Sequence, residues 1–340
     1  MGVKLSDLVE KKRLTFDELK HKAVAIDFSQ AAYQFLSSIR QQDGTPLTDA
    51  KGNITSHLLG VLSRSANVMA QGIKMAYVLD GPPPQLKVQT LEQRYGKKRD
   101  AEERFEEAKE EGDEALMLKY SKQFVHLSRD MAKEAEELIQ ALGMPTIQAP
   151  AEADAQLAYC CKQGDVWAAA TSDFDTLLHA SPKMLINLTL SQTRKTSSGA
   201  RVQVFPELIE LDSMLKNLNI SQEQLIALGM LVGTDYHPGV RGIGPKKALK
   251  IVTEFKTPKK IFAEHPLEGQ DWQEVYDLFT KMKVQKKYSL EWSPPDIEKV
   301  LKILVDRHEF TEERIMGTIA KMTGSKKKLT ADQKGLGSWM

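Results

Sequence analysis

Six carboxylates in this 340-residue chain stand out by their position. Asp27, Asp80, Asp173 and Asp175 each lie at or just past the end of a short apolar run, and Glu152 and Asp154 open the stretch after another. Like charges gathered within a few ångströms cannot all ionise unless a cation compensates them. Oxygen ligands without His or Cys among them suit hard divalent ions, Mg²⁺ or Mn²⁺. A single Asp at a strand end is equally well read as the cap of the following helix. Six acids at four such ends are too many for caps alone, and they point to a metal site built from carboxylates.

The elements that must carry these acids alternate. Residues 23–26 form an apolar run into Asp27, followed by a helix with Ala31, Phe35, Leu36 and Ile39 on one face. Residues 56–71 read as a second helix, and 74–79 as a strand running into Asp80-Gly81. Residues 145–148 predict a strand before the helix opened by Glu152, residues 165–171 another that ends in Ser172-Asp173-Phe174-Asp175, and 184–188 a fifth. The alternation predicts an α/β fold with a mostly parallel twisted sheet and helices on both faces. In such sheets the working crevice lies outside the carboxyl ends of the strands, where these acids would converge. Residues from about 90 to 140 break the pattern, being dense in Glu and Lys and helical in period.

The second half adds a different chemistry. Ser221, with Gln224 three residues on, caps a helix carrying Leu225, Ile226, Leu228 and Leu231. Gly233-Thr234-Asp235-Tyr236 follows, then Gly242-Ile243-Gly244-Pro245-Lys246-Lys247-Ala248. Glycines opening a helix, with lysines in its first turn, suit a phosphate oxygen. Pro245 follows Gly244 where a Walker lysine would stand, so this is no P-loop, and glycine spacing alone is equally compatible with an ordinary helical hairpin.

Composition excludes several classes. Hydrophobic residues make up 41% and charged residues 27%, which rules out a disordered or disulfide-stapled chain. Two adjacent cysteines, Cys160 and Cys161, read as reduced residues of an intracellular protein, and no apolar run reaches a membrane span. Met1-Gly2 through Ser6 matches an N-myristoylation pattern, but one acyl chain anchors weakly and no second signal is near. The net charge of +1 gives no sign of a nucleic-acid partner.

Taken together, Asp27, Tyr77-Val78-Leu79-Asp80-Gly81, Ala149-Pro150-Ala151-Glu152-Ala153-Asp154, Ser172-Asp173-Phe174-Asp175, and Gly233-Thr234-Asp235-Tyr236 with the 242–248 segment resemble the flap endonucleases. These are structure-specific 5′ nucleases of the XPG superfamily, of the archaeal and eukaryotic replication type. The resemblance runs from Gly2 to the last residue. It implies a nuclease domain over about residues 1–320, with nuclease regions at about 1–100 and 140–320. A helical arch falls at about 85–135, an H2TH-like hairpin at about 221–255, and a flexible tail over 321–340. The implied metal-binding acids are Asp27, Asp80, Glu152, Asp154, Asp173, Asp175 and Asp235, the last added by the resemblance alone. Glu152, Asp154, Asp173 and Asp175 match the direct ligands of two Mg²⁺ (or Mn²⁺) ions, while Asp27, Asp80 and Asp235 match positions that hold metal-bound waters.

The same comparison assigns Lys87 and Arg94, at the base of the arch, to the charge that develops on the phosphate. Tyr33 matches an aromatic that stacks on a base, and Arg40 and Arg64 match contacts to duplex or phosphates. Gly2, as the mature N-terminus, falls near the DNA, and Gly233, Gly242, Gly244, Lys246 and Lys247 fall in the hairpin that grips the downstream duplex. Gln333, Leu336, Trp339 and Met340 fit a sliding-clamp binding peptide at the tip.

The implied activity is 5′-flap cleavage with 5′–3′ exonuclease action on branched DNA, in Okazaki-fragment maturation and repair. The implied enzyme is a monomer recruited by the clamp, without membrane association, cytoplasmic in an archaeon or nuclear in a eukaryote. The absence of a basic extension past the clamp peptide favours the archaeal case. The alternative is a catalytically silent module that binds junction DNA and recruits the clamp. Three departures stand out: Asp154 replaces a longer Glu, Ser63 stands where an aromatic is common, and Met340 replaces a second clamp-binding aromatic. With seven of the 46 acids in the site, 39 remain against 47 basic residues, so the neutral total reads as a cancellation between an acidic crevice and basic surfaces.

Overall fold

The computed structural model describes residues 3, 5–41, 44–121, 123–124, 126–188, 193–195 and 200–324. Gly2 and the proposed clamp peptide, Gln333, Leu336, Trp339 and Met340, lie outside the described residues. The strands are β1 (Lys12–Arg13), β2 (Ala23–Asp27), β3 (Lys74–Leu79), β4 (Thr146–Gln148), β5 (Ala168–Ala170), β6 (Lys183–Ile186), β7 (Thr193–Lys195), β8 (Arg201–Gln203) and β9 (Glu207–Glu210). Seven of them form one sheet in the order β1-β9-β6-β5-β2-β3-β4. The five from β6 to β4 run parallel, and β9 and β1 extend the β6 edge antiparallel. β7 and β8 pair separately.

Side chains on the central strands alternate between the faces, as the two-residue repeat of a strand requires. Val24 and Ile26 of β2, with Met75, Tyr77 and Leu79 of β3, pack against the Phe28–Ser38, Ser56–Met69, Arg129–Ala141 and Glu312–Met322 helices. Ala25 and Val78 face the opposite way, onto Ala153, Leu157 and Cys160 of the Ala153–Gln163 helix. A further apolar cluster joins Ile186 and Ile209 to the helices of the second half, including the hairpin pair Gln222–Val232 and Pro245–Phe255. Ser221 and Gln224 form the capping box their spacing predicts, and Gly244 caps the second hairpin helix with Pro245 in its first turn. Among the described residues, no helix is long and apolar enough to cross a membrane.

A helix dense in Glu and Lys is ordinarily a solvated surface face, and beyond about residue 100 that is the expectation here, but the charged segment also has a buried side. It folds into the Val88–Glu111 and Glu114–Ser121 helices, with Gly112 reversing the chain at φ 71°. Ala101, Phe105 and Ala108 are buried, and the Phe105 and Phe124 rings lie 5.2 Å apart. A stripe of three apolar residues among charges suffices to close a helical seam. From Arg129 onward the chain belongs to the core, through Ala135, Leu138 and Ile139. The predicted strands at 165–171 and 184–188 are shorter or shifted, at Ala168–Ala170 and Lys183–Ile186.

Candidate active site

The acids reach the carboxyl end of the sheet by different local devices. Asp27, the last residue of β2, caps the next helix by accepting the Gln30 N–H at 3.0 Å, so the cap and site readings hold together. Asp80 follows β3 and accepts the Ala153 N–H at 2.8 Å, tying it to the helix that Glu152 begins. A Cβ on the adjacent Gly81 would lie 2.4 Å from the Ala149 carbonyl, so only glycine permits this approach. Past β5, Asp173 accepts the Asp175 N–H at 3.1 Å, and Asp175 accepts the Val3 N–H at 3.0 Å. Asp154 receives the Thr176 hydroxyl. Asp235 comes from the turn after the Gln222–Val232 helix.

A cavity of about 1070 Å³ collects Asp27, Asp80, Asp154, Asp173 and Asp235 along its wall. Lys87, Arg94, Lys98 and Tyr33 face it from the helical side, and Pro245 reaches it from the hairpin. Glu152 joins through Lys87, whose Nζ lies 2.5 Å from Glu152 Oε1 and 3.3 Å from Asp235 Oδ2. Arg94 pairs with the other Asp235 oxygen. The arch base is therefore docked on the acids by two cations.

Charge in this volume is only partly compensated. Burial and the facing Asp80 and Asp173 push Asp27 up to about 7. Burial, with neighbouring carboxylates led by Asp173, likewise raises Asp154 and Asp175. Burial outweighs the Lys87 and Tyr236 contacts at Glu152, which is also raised. At Asp235 burial acts upward, but Lys87 and Arg94 together hold the carboxyl below its ordinary range. Lys87 is held protonated, because Glu152 and Asp235 outweigh the cost of its burial. A wall of carboxylates that raise one another fits a hard divalent cation in its donor chemistry. Among the described residues, no three His, Cys, Asp or Glu side chains stand in a geometry that could hold an ion as they are placed. Glu152 and Asp235 instead take Lys87 and Arg94.

The other expected site residues are less concentrated. Tyr33 is among the more exposed large side chains, and Lys98 Nζ lies 4.7 Å from its ring centre. Lys246 and Lys247 are exposed next to Pro245, beyond Gly242 and Gly244. Arg40 ties its own loop, donating to the Ser37 carbonyl at 3.1 Å and the Gly44 carbonyl at 2.5 Å. Arg64 is half-buried in the Ser56–Met69 helix, away from the cavity wall. Gly233 ends the first hairpin helix at φ 110°, which makes it a backbone requirement of the turn.

Sequence reasoning missed three polar partners. The Tyr236 hydroxyl donates to Glu152 Oε2, the Thr176 hydroxyl to Asp154 Oδ1, and Gln30 accepts the Ser172 N–H at 2.7 Å. Tyr236 and Thr176 each adjoin an acid of the set, and Gln30 has its own N–H capped by Asp27, and that proximity in sequence was the available signal.

Comparisons with known proteins agree with this arrangement. The XPG N-terminal domain matches residues 1–101 and the XPG I-region residues 143–235. Flap endonuclease 1 of Pyrococcus horikoshii is 44% identical over 342 residues, covering 100% of this chain and 98% of the relative. The chain belongs to the flap endonuclease family. Flap endonuclease 1 of Hyperthermus butylicus is 42% identical over 348 residues, covering 100% of this chain and 99% of its own. The solved flap endonuclease-1 from Methanococcus jannaschii superposes with a TM-score of 0.76 at 36% identity, over 95% of this chain and 98% of that one. Flap endonucleases are metal-dependent nucleases, and this chain is a structure-specific flap endonuclease acting on DNA.

Proposed function

We propose that the enzyme cleaves the 5′ strand of branched DNA beneath the Val88–Glu111 helix, with Mg²⁺ as the working ion. The observation that carries this reading is the single cavity in which five carboxylates face Lys87 and Arg94. Glu152, Asp154, Asp173 and Asp175 would hold two ions directly, and Asp27, Asp80 and Asp235 their waters. Bound there, the ions supply Lewis acidity and a water of lowered pKa.

The protein's own groups account for the rest. Lys87 and Arg94 already reach the acids, and a short swing would bring them to the scissile phosphate, where fixed cations offset developing negative charge. Tyr33, exposed on the cavity wall, offers a stacking surface for the base beside the cut. Lys246 and Lys247, with the N-terminus of the Pro245–Phe255 helix, suit duplex phosphates without reading sequence. The Val3 N–H is held on Asp175, and Gly2 precedes Val3 directly in sequence, which supports a role for Gly2 near the acids. Exonuclease action, Okazaki-fragment maturation, recruitment of a monomer by the sliding clamp through Gln333, Leu336, Trp339 and Met340, and residence inside the cell complete the reading. Arg40 and Arg64 remain duplex contacts in it, with Arg40 requiring release from its loop carbonyls.

The test is a matched set of 5′-flap substrates incubated with Mg²⁺, Mn²⁺ or Ca²⁺. Cutting in the first two and binding alone in Ca²⁺ are expected. Binding without turnover in every ion would favour the silent junction-binding alternative.

A further inference from the structure

The turn between the hairpin helices contacts the acid site twice. Gly233 and Gly239 close it: a Cβ on Gly233 would lie 2.5 Å from the Pro238 carbonyl, and one on Gly239 2.6 Å from the Gly233 nitrogen. Inside the loop, the Thr234 N–H donates to the His237 carbonyl at 2.9 Å, and the Gly239 N–H donates to His237 Nδ1 at 3.0 Å. His237 Nε2 then donates to the Glu268 carbonyl at 3.1 Å, and the Val240 N–H reaches the Leu231 carbonyl at 2.9 Å. A loop bonded in this way has little freedom to adjust. Its Asp235 takes Lys87 and Arg94 from the arch base, and its Tyr236 takes Glu152.

Tyr236 is only 4% exposed, with its ring 5.2 Å from that of Phe279, which itself lies 5.3 Å from the His179 ring. A buried tyrosine hydroxyl needs an acceptor, and any backbone carbonyl would serve. Here the acceptor is Glu152 Oε2, while Oε1 of the same carboxylate holds Lys87. Glu152 is thus gripped by the arch through one oxygen and by the hairpin through the other.

We infer that Tyr236 is a positioning residue that fixes the Glu152 carboxylate for metal binding and couples the seating of the hairpin on duplex DNA to the metal site. This rests on the metal reading of the acids. When Lys87 turns toward a phosphate, Oε1 loses its partner, and the Tyr236 hydroxyl becomes the contact that keeps the carboxylate oriented. Partners that orient a metal ligand are commonly worth about tenfold or more in affinity.

The test is Mn²⁺ uptake by the metal-free full-length protein without DNA, followed by electron paramagnetic resonance. Wild type, Tyr236→Phe, Glu152→Gln and the double variant are compared, and melting is measured in EDTA. Tyr236→Phe keeps the ring and removes only the hydroxyl. It should weaken Mn²⁺ binding about tenfold, leave flap binding in EDTA unchanged, and add almost nothing to Glu152→Gln, since the two act through one contact. Equal Mn²⁺ binding by wild type and Tyr236→Phe would overturn the positioning role. So would the same loss on both backgrounds, or a collapse of melting that marks the hydroxyl as a fold contact. A wild type that takes up no Mn²⁺ would overturn the metal reading beneath it.

Discussion

Two clusters of carboxylates in this molecule are built from similar residues and behave in opposite ways. Where the loop at Asp49 meets the Arg129–Ala141 helix and the C-terminal region, Asp49, Glu134 and Glu137 each face a basic side chain. His308 Nδ1 lies 2.9 Å from Asp49 and Nε2 2.9 Å from Glu134, and Arg307 holds both oxygens of Glu137 at 2.7 and 3.0 Å. Asp49 also accepts the Asn53 amide and backbone N–H groups, which with His308 outweigh burial and hold it well below the ordinary carboxylate range. Arg307 likewise lowers Glu137. At the carboxyl end of the sheet, by contrast, acids face acids, and Asp27, Asp154 and Asp175 are driven upward. The first cluster staples a loop. The second stores repulsion that a cation relieves, a pattern expected of a working site rather than of a fold contact.

The contrast breaks first at Asp173. Asp173→Asn should lower flap cleavage by roughly a thousandfold, on the scale of losing a transition-state contact, while binding in Ca²⁺ survives. Retained cleavage in Mg²⁺ would remove Asp173 from the site. Lys87→Ala should cost roughly a hundredfold in kcat with little change in KM, read from single-turnover cleavage. A loss confined to KM would make Lys87 a docking residue alone.

pH separates the two clusters more finely. Asp27 titrates at about 7 in the fold and at about 4 when unfolded. The folded state therefore holds the extra proton between these values, and the metal-free protein loses stability as pH rises through them. Melting in EDTA should fall from pH 5 to pH 7.5, Asp27→Asn should flatten that slope, and Mg²⁺ should raise the melting temperature more at the higher pH. Asp49 has the opposite sign: its depressed value contributes stability above pH 4 that disappears in acid. Asp49→Asn should give the smallest effect, a modest drop in melting temperature at neutral pH with cleavage unchanged. A cleavage defect of the size seen for Lys87→Ala would erase the distinction between staple and site.

Much of this layout was legible in the chain. β2 and β3 were readable because apolar runs of four and five residues, Ala23–Ile26 and Met75–Leu79, lead into Asp27 and Asp80. β1 was not, since Lys12–Arg13 is two charged residues that become a strand only by pairing with β9. β9 itself is bounded by Glu207 and Glu210 and reads as a loop without its neighbour. Six acids were found from strand ends alone, whereas Asp235 sits on a turn after a helix, where periodicity carries no chemistry, and needed the family resemblance. Tyr236 was hidden for a third reason. An aromatic beside buried residues looks like core, and only the fold brings its hydroxyl to Glu152, 84 residues away.

The central claim is that one carboxylate crevice beneath the arch performs metal-dependent cleavage at a DNA junction. Cleavage mapped to the nucleotide, on a double-flap substrate and a blunt duplex of the same sequence with Mg²⁺ or EDTA, tests it most directly. Cutting next to the junction, only in Mg²⁺ and with the duplex largely spared, is the expected result. A flap left whole in Mg²⁺, or one cut equally well in EDTA, would contradict it.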